Sequence, residues 1–96
     1  MAIQGFANRA VERFFVGGTL PRGCGWTRFA KVALRKLDVL DYADALGDLK
    51  SPPGNRLEAL KDDLAGLHSI RVNDQWRVVF RWTEAGPVGV DIRDYH

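Results

Sequence analysis

Alternating apolar and polar positions dominate the last third of the chain. In His68–Trp82, Ile70 and Val72 share a parity with Trp76, Val78, Phe80 and Trp82. Ser69, Arg71, Asn73, Arg77 and Arg81 occupy the other parity, interrupted only by Val79. Period two over this length predicts β-strands with one buried face. Asn73-Asp74-Gln75 supplies turn chemistry between the runs, so they pair as a hairpin. Beyond Gly86-Pro87, Val88, Val90 and Ile92 alternate with Gly89, Asp91 and Arg93. This is a last strand, leading into Asp94-Tyr95-His96.

The first half follows a helical period instead. Ile3–Phe6 predicts a short edge strand. Asn8 is placed to cap a helix over Arg9–Val16, with Ala10, Val11, Phe14 and Phe15 on one face and Gly17-Gly18 ending it. Thr19–Gly25 is a loop. Over Trp26–Leu46, Phe29, Ala30, Ala33, Leu34, Leu37 and Leu40 form an apolar stripe, with Arg28, Lys31, Arg35 and Lys36 between them and Thr27 at the start. Asp38, Asp41 and Asp44 oppose the helix dipole and predict a break near Leu40–Tyr42, then a short helix Ala43–Leu49. Ser51-Pro52-Pro53-Gly54-Asn55 interrupts any regular element. Arg56–Leu60 reads as a short strand with Leu57 and Leu60 inward, and Lys61–Gly66 as a polar loop. Helices followed by an antiparallel meander give an α+β fold: two N-terminal helices packed on one face of a small, mainly antiparallel curved sheet. The length predicts one domain, 1–96.

Composition changes this picture little. A hydrophobic content of 46% fits a packed chain. The N-terminal residues lack the continuous apolar run of a signal peptide, and no stretch approaches membrane-span length, which points to the cytoplasm. A single cysteine, Cys24, forms no internal disulfide. Charge is more informative. The net +2 hides a basic segment 1–37, with seven Lys or Arg and one acid, and an acidic segment 38–68, with seven acids and three bases. A basic front half and a basic sheet face favour a polyanion.

Two histidines and one cysteine show no metal-ligand spacing, and Gly17-Gly18, Gly23 and Gly25 lack the lysine and strand–helix context of a phosphate loop. No metal and no cofactor is expected. Arg71, Arg77 and Arg81 project from one sheet face, and Arg93 has the same parity on the last strand. Two readings stay open for them: a solvated face with Asp91 and its neighbours as ion-pair partners, or a phosphate-binding face matched to the guanidinium fork. An open sheet face suits RNA better than duplex DNA. Asp94-Tyr95-His96 is either a frayed tail or an acid/base group beside the arginines. In the second case the arginines stabilise a pentacovalent phosphate while the RNA's own 2′-hydroxyl attacks. Trp26, Trp76 and Trp82 could stack bases, but Trp76 and Trp82 fall on the apolar parity and read as core.

Three segments carry a resemblance: Pro52-Pro53-Gly54-Asn55-Arg56-Leu57-Glu58-Ala59-Leu60-Lys61, then Ser69-Ile70-Arg71-Val72-Asn73-Asp74-Gln75-Trp76-Arg77, then the terminal Asp94-Tyr95-His96. Together they resemble the HigB-type toxins, the plasmid maintenance system killer family within the RelE/ParE superfamily. The resemblance implies a RelE-like fold and a ribosome-dependent, metal-independent mRNA endonuclease that cuts the codon in the A site and so inhibits translation. It implies a HigA-like helix-turn-helix antitoxin as partner, contact with the small ribosomal subunit and mRNA, and operator DNA only through the antitoxin. Carried over by position, Arg71 and Arg77 hold the scissile phosphate, and Asp94, Tyr95 and His96 are the C-terminal active-site residues. His96 is the expected proton donor or acceptor. Lys61 matches a basic position beside the site, and Arg81, Arg93, Arg28, Lys31 and Arg35 are expected to contact RNA. Glu58 departs from members with histidine there; in the site it would serve as base or weaken RNA binding. The glycine-containing Leu20–Trp26 segment is also unlike the expected helix start. Two alternatives remain: a ParE-like toxin that binds DNA gyrase, or a catalytically weakened RNA- or antitoxin-binding module.

Overall fold

The computed structural model describes residues 2–94. Tyr95 and His96 lie outside the described residues. Helix α1 spans Arg9–Gly17. The Asn8 side chain accepts from the Ala10 amide at its start, and Gly18 closes it in the left-handed conformation, satisfying the last carbonyls. Val11 and Phe14 face inward, as their spacing predicts.

The predicted long helix is divided. A 3₁₀ segment, Gly25–Phe29, precedes helix α2, Ala30–Tyr42, and a second 3₁₀ segment, Leu46–Lys50, follows the break. Thr27 does not cap α2; its hydroxyl donates to the Cys24 carbonyl. The break falls at Ala43, one residue beyond the expected position. Ala33, Leu37 and Leu40 are buried, whereas Phe29 and Leu34 stay more than a third exposed. The tighter 3₁₀ turn rotates Phe29 away from the stripe of the following α-helix.

The sheet has four antiparallel strands in the order β1 (Glu58–Ala59), β2 (His68–Arg71), β3 (Trp76–Thr83) and β4 (Gly86–Asp94). Strand β1 is shorter than Arg56–Leu60, because Arg56 adopts a positive φ of 45° that leaves the extended region. The Asn73 carboxamide accepts from the Gln75 and Trp76 amides and shapes the turn after β2. The N-terminal segment is not a strand. It runs beside β4 through one parallel bridge, Phe6 with Val90, and hydrogen bonds at Gln4, Gly5 and Ala7. Ile70, Val72, Val78, Phe80, Val90 and Ile92 bury one sheet face under both helices.

Trp26, a candidate for base stacking, is only 2% exposed and meets the Phe14 ring edge-on at 4.9 Å. Gly25 beside it explains the unusual Leu20–Trp26 segment. A Cβ there would lie 2.7 Å from the Trp76 ring. This close approach presses the start of the helical layer onto the hairpin just before Arg77. Gly25→Ala is therefore expected to destabilise the fold by about 1–3 kcal/mol through overpacking. Urea unfolding checks this, and an unchanged midpoint would refute the contact.

Candidate functional site

Strand register decides which arginines meet. Arg71 pairs with Arg77, and Arg77 pairs with Arg93. Three guanidinium side chains thus leave one face as a row across β2, β3 and β4. The next row holds Glu58, Ser69, Val79 and Asp91. Alternation along each strand puts the cations on the face of these residues, Val79 among them, and Ile70, Val78, Phe80 and Ile92 on the other.

Arg77 is the fixed member. Its side chain is 11% exposed. Its Nε donates to Ser69 Oγ at 2.7 Å, and its Nη2 donates to the Arg56 carbonyl at 2.6 Å. Glu58, half exposed at 52%, approaches Nη1 at 3.8 Å. Arg71 pairs with Asp74, whose side chain is 97% exposed. Arg93 donates to Asp91 at 3.0 Å. The ion pairs expected of a solvated face are therefore present. Such pairs contribute only about 0–1 kcal/mol each in water, so a phosphate can displace them. The bonds holding Arg77 to Ser69 and to a backbone carbonyl need not be displaced.

The residue before Arg56 is a buried anchor. Asn55 is 0% exposed; its amide nitrogen donates to the Leu49 and Ser51 carbonyls, and its carboxamide oxygen accepts from Lys36 Nζ. Pro52 and Pro53 carbonyls accept from the Asn55 and Arg56 amides and complete the turn. Asn55, Ser69 and Lys36 were not among the candidate residues. The signal for Asn55 was a single polar residue ending a Pro-Pro-Gly run, but its three partners are six, four and nineteen residues away. Sequence order does not show them together.

Burial, then the neighbouring Arg35 and Arg71 guanidiniums, hold the Lys36 ammonium below the ordinary lysine range. A lysine whose folded pKa lies below its unfolded value binds fewer protons when folded. It therefore disfavours folding while charged, and stability recovers as pH climbs from the lowered folded value towards 10.5. Chemical unfolding of the wild type and Lys36→Met is expected to show this alkaline recovery in the wild type alone. Parallel pH profiles would contradict it.

The remaining candidates separate. Arg81 shares the face of Arg77 but lies four residues further along β3, about 14 Å away. Its guanidinium sits by the Gly66 carbonyl at 3.5 Å. A β-bulge between Val79 and Arg81 further offsets it from β4. Lys61, exposed beyond the far end of β1, is nearer Arg81's end of the sheet than the arginine row. Arg28, in the 3₁₀ segment, and Lys31 and Arg35, in α2, are exposed on the helical layer. Asp94 ends β4 opposite Trp76 and accepts from Gln75 Nε2 at 2.8 Å. No helix among the described residues is long and apolar enough to cross a membrane.

Known proteins resemble this chain in fold or in sequence. The solved YoeB/ParE toxin from Agrobacterium tumefaciens superposes with a TM-score of 0.54, 21% identity and complete coverage of both chains, a likeness of fold. Toxin HigB-1 of Vibrio cholerae is 49% identical over 61 residues, which cover 64% of this chain and 60% of that protein. An uncharacterized protein of Haemophilus influenzae is 42% identical over 52 residues, covering 54% of this chain and 52% of its own. The matches thus span between half and two thirds of these curated relatives. The family described as "RelE-like toxin of type II toxin-antitoxin system HigB" matches residues 4–96. With that match over nearly its whole length, and an antiparallel sheet under a two-helix layer, the chain belongs to the HigB-like family of RelE-like toxins.

Proposed function

We propose that this chain is the toxin of a type II toxin–antitoxin pair and an mRNA endonuclease acting on the ribosome. The observation that carries this reading is Arg77, clamped by Ser69 and the Arg56 carbonyl at the centre of the Arg71–Arg77–Arg93 row. A fixed, largely buried guanidinium presents donors where a phosphoryl group gains charge, and fixed donors need no reorganisation as the charge develops. The ends of the row, Arg71 at 31% and Arg93 at 42% exposure, are accessible to an extended RNA strand on either side of the more buried Arg77.

The reaction needs no metal. The RNA 2′-oxygen attacks the adjacent phosphorus, forming the O2′–P bond. The P–O5′ bond breaks, leaving a 2′,3′-cyclic phosphate and a 5′-hydroxyl. One protein group takes the 2′ proton and another protonates the leaving 5′-oxygen. Glu58 is the candidate base, since its carboxylate lies 3.8 Å from Arg77 on the same face. His96 is the candidate acid, assisted by Tyr95 and Asp94. Arg71 and Arg77 take the phosphate oxygens, with Arg93 beside them. Lys61, Arg81, Arg28, Lys31 and Arg35 are assigned to flanking RNA. The partners are a HigA-like antitoxin, the small ribosomal subunit and mRNA, and the site of action is the cytoplasm. Operator DNA is reached only through the antitoxin.

Controlled expression in a bacterial host, with mapping of mRNA 5′ ends during growth arrest, tests the reading. Cuts inside translated codons are expected. His96→Ala should lower their frequency about 10²-fold, the scale of one general acid or base. Arrest with intact mRNA would overturn the reading in favour of a gyrase-binding toxin.

A further inference from the structure

Lys36 donates to the Asn55 carboxamide at 2.5 Å, and no described carboxylate pairs with it. Lys36, on α2, lies in the field of Arg35 on the same helix and of Arg71 on β2. Arg71 has Asp74. Lys36 has only the neutral carboxamide oxygen of Asn55 among the described residues. Its ammonium carries three donors, and one is used there. Holding it partly desolvated beside two guanidiniums is unfavourable unless an anion joins them.

Geometry links this cluster to Arg77. Arg71 is the cross-strand partner of Arg77, so it belongs to both groups. Asn55 holds Lys36 through its side chain, and the next residue, Arg56, holds Arg77 through its carbonyl. One buried side chain thus sets the position of two cations. We propose that Lys36, with Arg71 and Arg35, forms a second phosphate subsite that takes the phosphodiester next to the one at Arg77, and that Asn55 fixes the spacing of the two. The inference rests on the RNA-cleaving reading and names how that site holds its strand. Two adjacent phosphates on one rigid frame orient the chain, so that the 2′-oxygen beside Arg77 is aligned for attack.

The probes are 2′-O-methyl RNA oligonucleotides, whose blocked 2′-oxygens prevent cleavage: a dinucleotide with one phosphodiester and a trinucleotide with two. Binding is followed by amide chemical shifts of the full chain. The wild type is expected to bind the trinucleotide about 5- to 10-fold more tightly than the dinucleotide. In Lys36→Met this increment should vanish, and the salt dependence of trinucleotide binding should weaken by about 0.7 in log–log slope, one phosphate contact on a single strand. Lys36→Arg should restore most of the increment, which separates loss of charge from loss of fold. An increment that survives Lys36→Met, or failure of both probes to bind, overturns the subsite. The cleavage reading is judged separately by the mRNA ends. Codon cuts without a trinucleotide increment would discard the subsite and keep the nuclease. An increment without cuts would do the reverse.

Discussion

Arg77→Ala lowers the proposed ribosome-dependent mRNA cleavage about 10³-fold in the expected result, the largest effect of any single change on the sheet face. The magnitude follows from removing a fixed donor aimed at a charge that grows in the transition state, an effect of about 10²–10³. Arg77 is the only one of the three aligned arginines for which neutral partners fix two guanidinium nitrogens, at Ser69 and at Arg56, among the contacts described. Arg71 and Arg93 are held by carboxylates and can swing, so their alanine variants should lose less. Arg77 also packs at 11% exposure, so its removal has a structural cost. Arg77→Lys controls for this: it keeps charge and stem but cannot reach Ser69 and Arg56 together, because a lysine has no planar fork. Single-turnover cleavage on programmed ribosomes, with thermal melting alongside, is the measurement. If Arg77→Lys is fully active, fixed geometry is not what the site uses. If Arg28→Ala is as damaging as Arg77→Ala, the row is not the catalytic centre.

Asn55→Ala is expected to destabilise the protein by about 3 kcal/mol, because it leaves the buried Leu49 carbonyl, and the part-buried Ser51 carbonyl and Lys36 ammonium, without their partners. For a domain of this size that lowers Tm by roughly 15 °C. The side chain has donors on one end and an acceptor on the other, matched to carbonyls at Leu49 and Ser51 and to Lys36. Asn55→Asp keeps the acceptor and charges it, favouring Lys36, but turns the donating end into a second acceptor facing carbonyls. It should therefore fail to rescue stability. A loss below about 1 kcal/mol for Asn55→Ala would show that water replaces the amide readily, and Asn55 would no longer be the anchor.

The apolar parity of Ile70, Val72, Val78, Phe80, Val90 and Ile92 was legible because sheet periodicity and burial coincide in β2, β3 and β4. The Arg9–Val16 helix and its Asn8 cap were legible because capping is local chemistry. The start of α2 was not: apolar spacing alone cannot separate a 3₁₀ turn from the first turn of an α-helix. Trp26 looked available for stacking because a tryptophan beside a loop shows nothing of its neighbours, and only packing placed Phe14 against it. Parity also put Arg81 with Arg71 and Arg77. Parity assigns a face but not a distance along it, and the register shift opposite Val79–Arg81, where β4 carries an extra residue near Gly89 at φ 62°, changes which β4 residue Arg81 meets.

Sequence alone determined the α+β order, the hairpin and the family, since these rest on periodicity, turn chemistry and contiguous motifs. Tertiary structure alone decided which cations lie together. Register set Arg71, Arg77 and Arg93 in one row, separated Arg81 and Lys61 from it, and brought Glu58 to Arg77. It also joined Lys36 to Asn55, nineteen residues on. The physical reason is that a guanidinium's reach and a carboxamide's partners are properties of space between elements, and the chain carries no local record of that space.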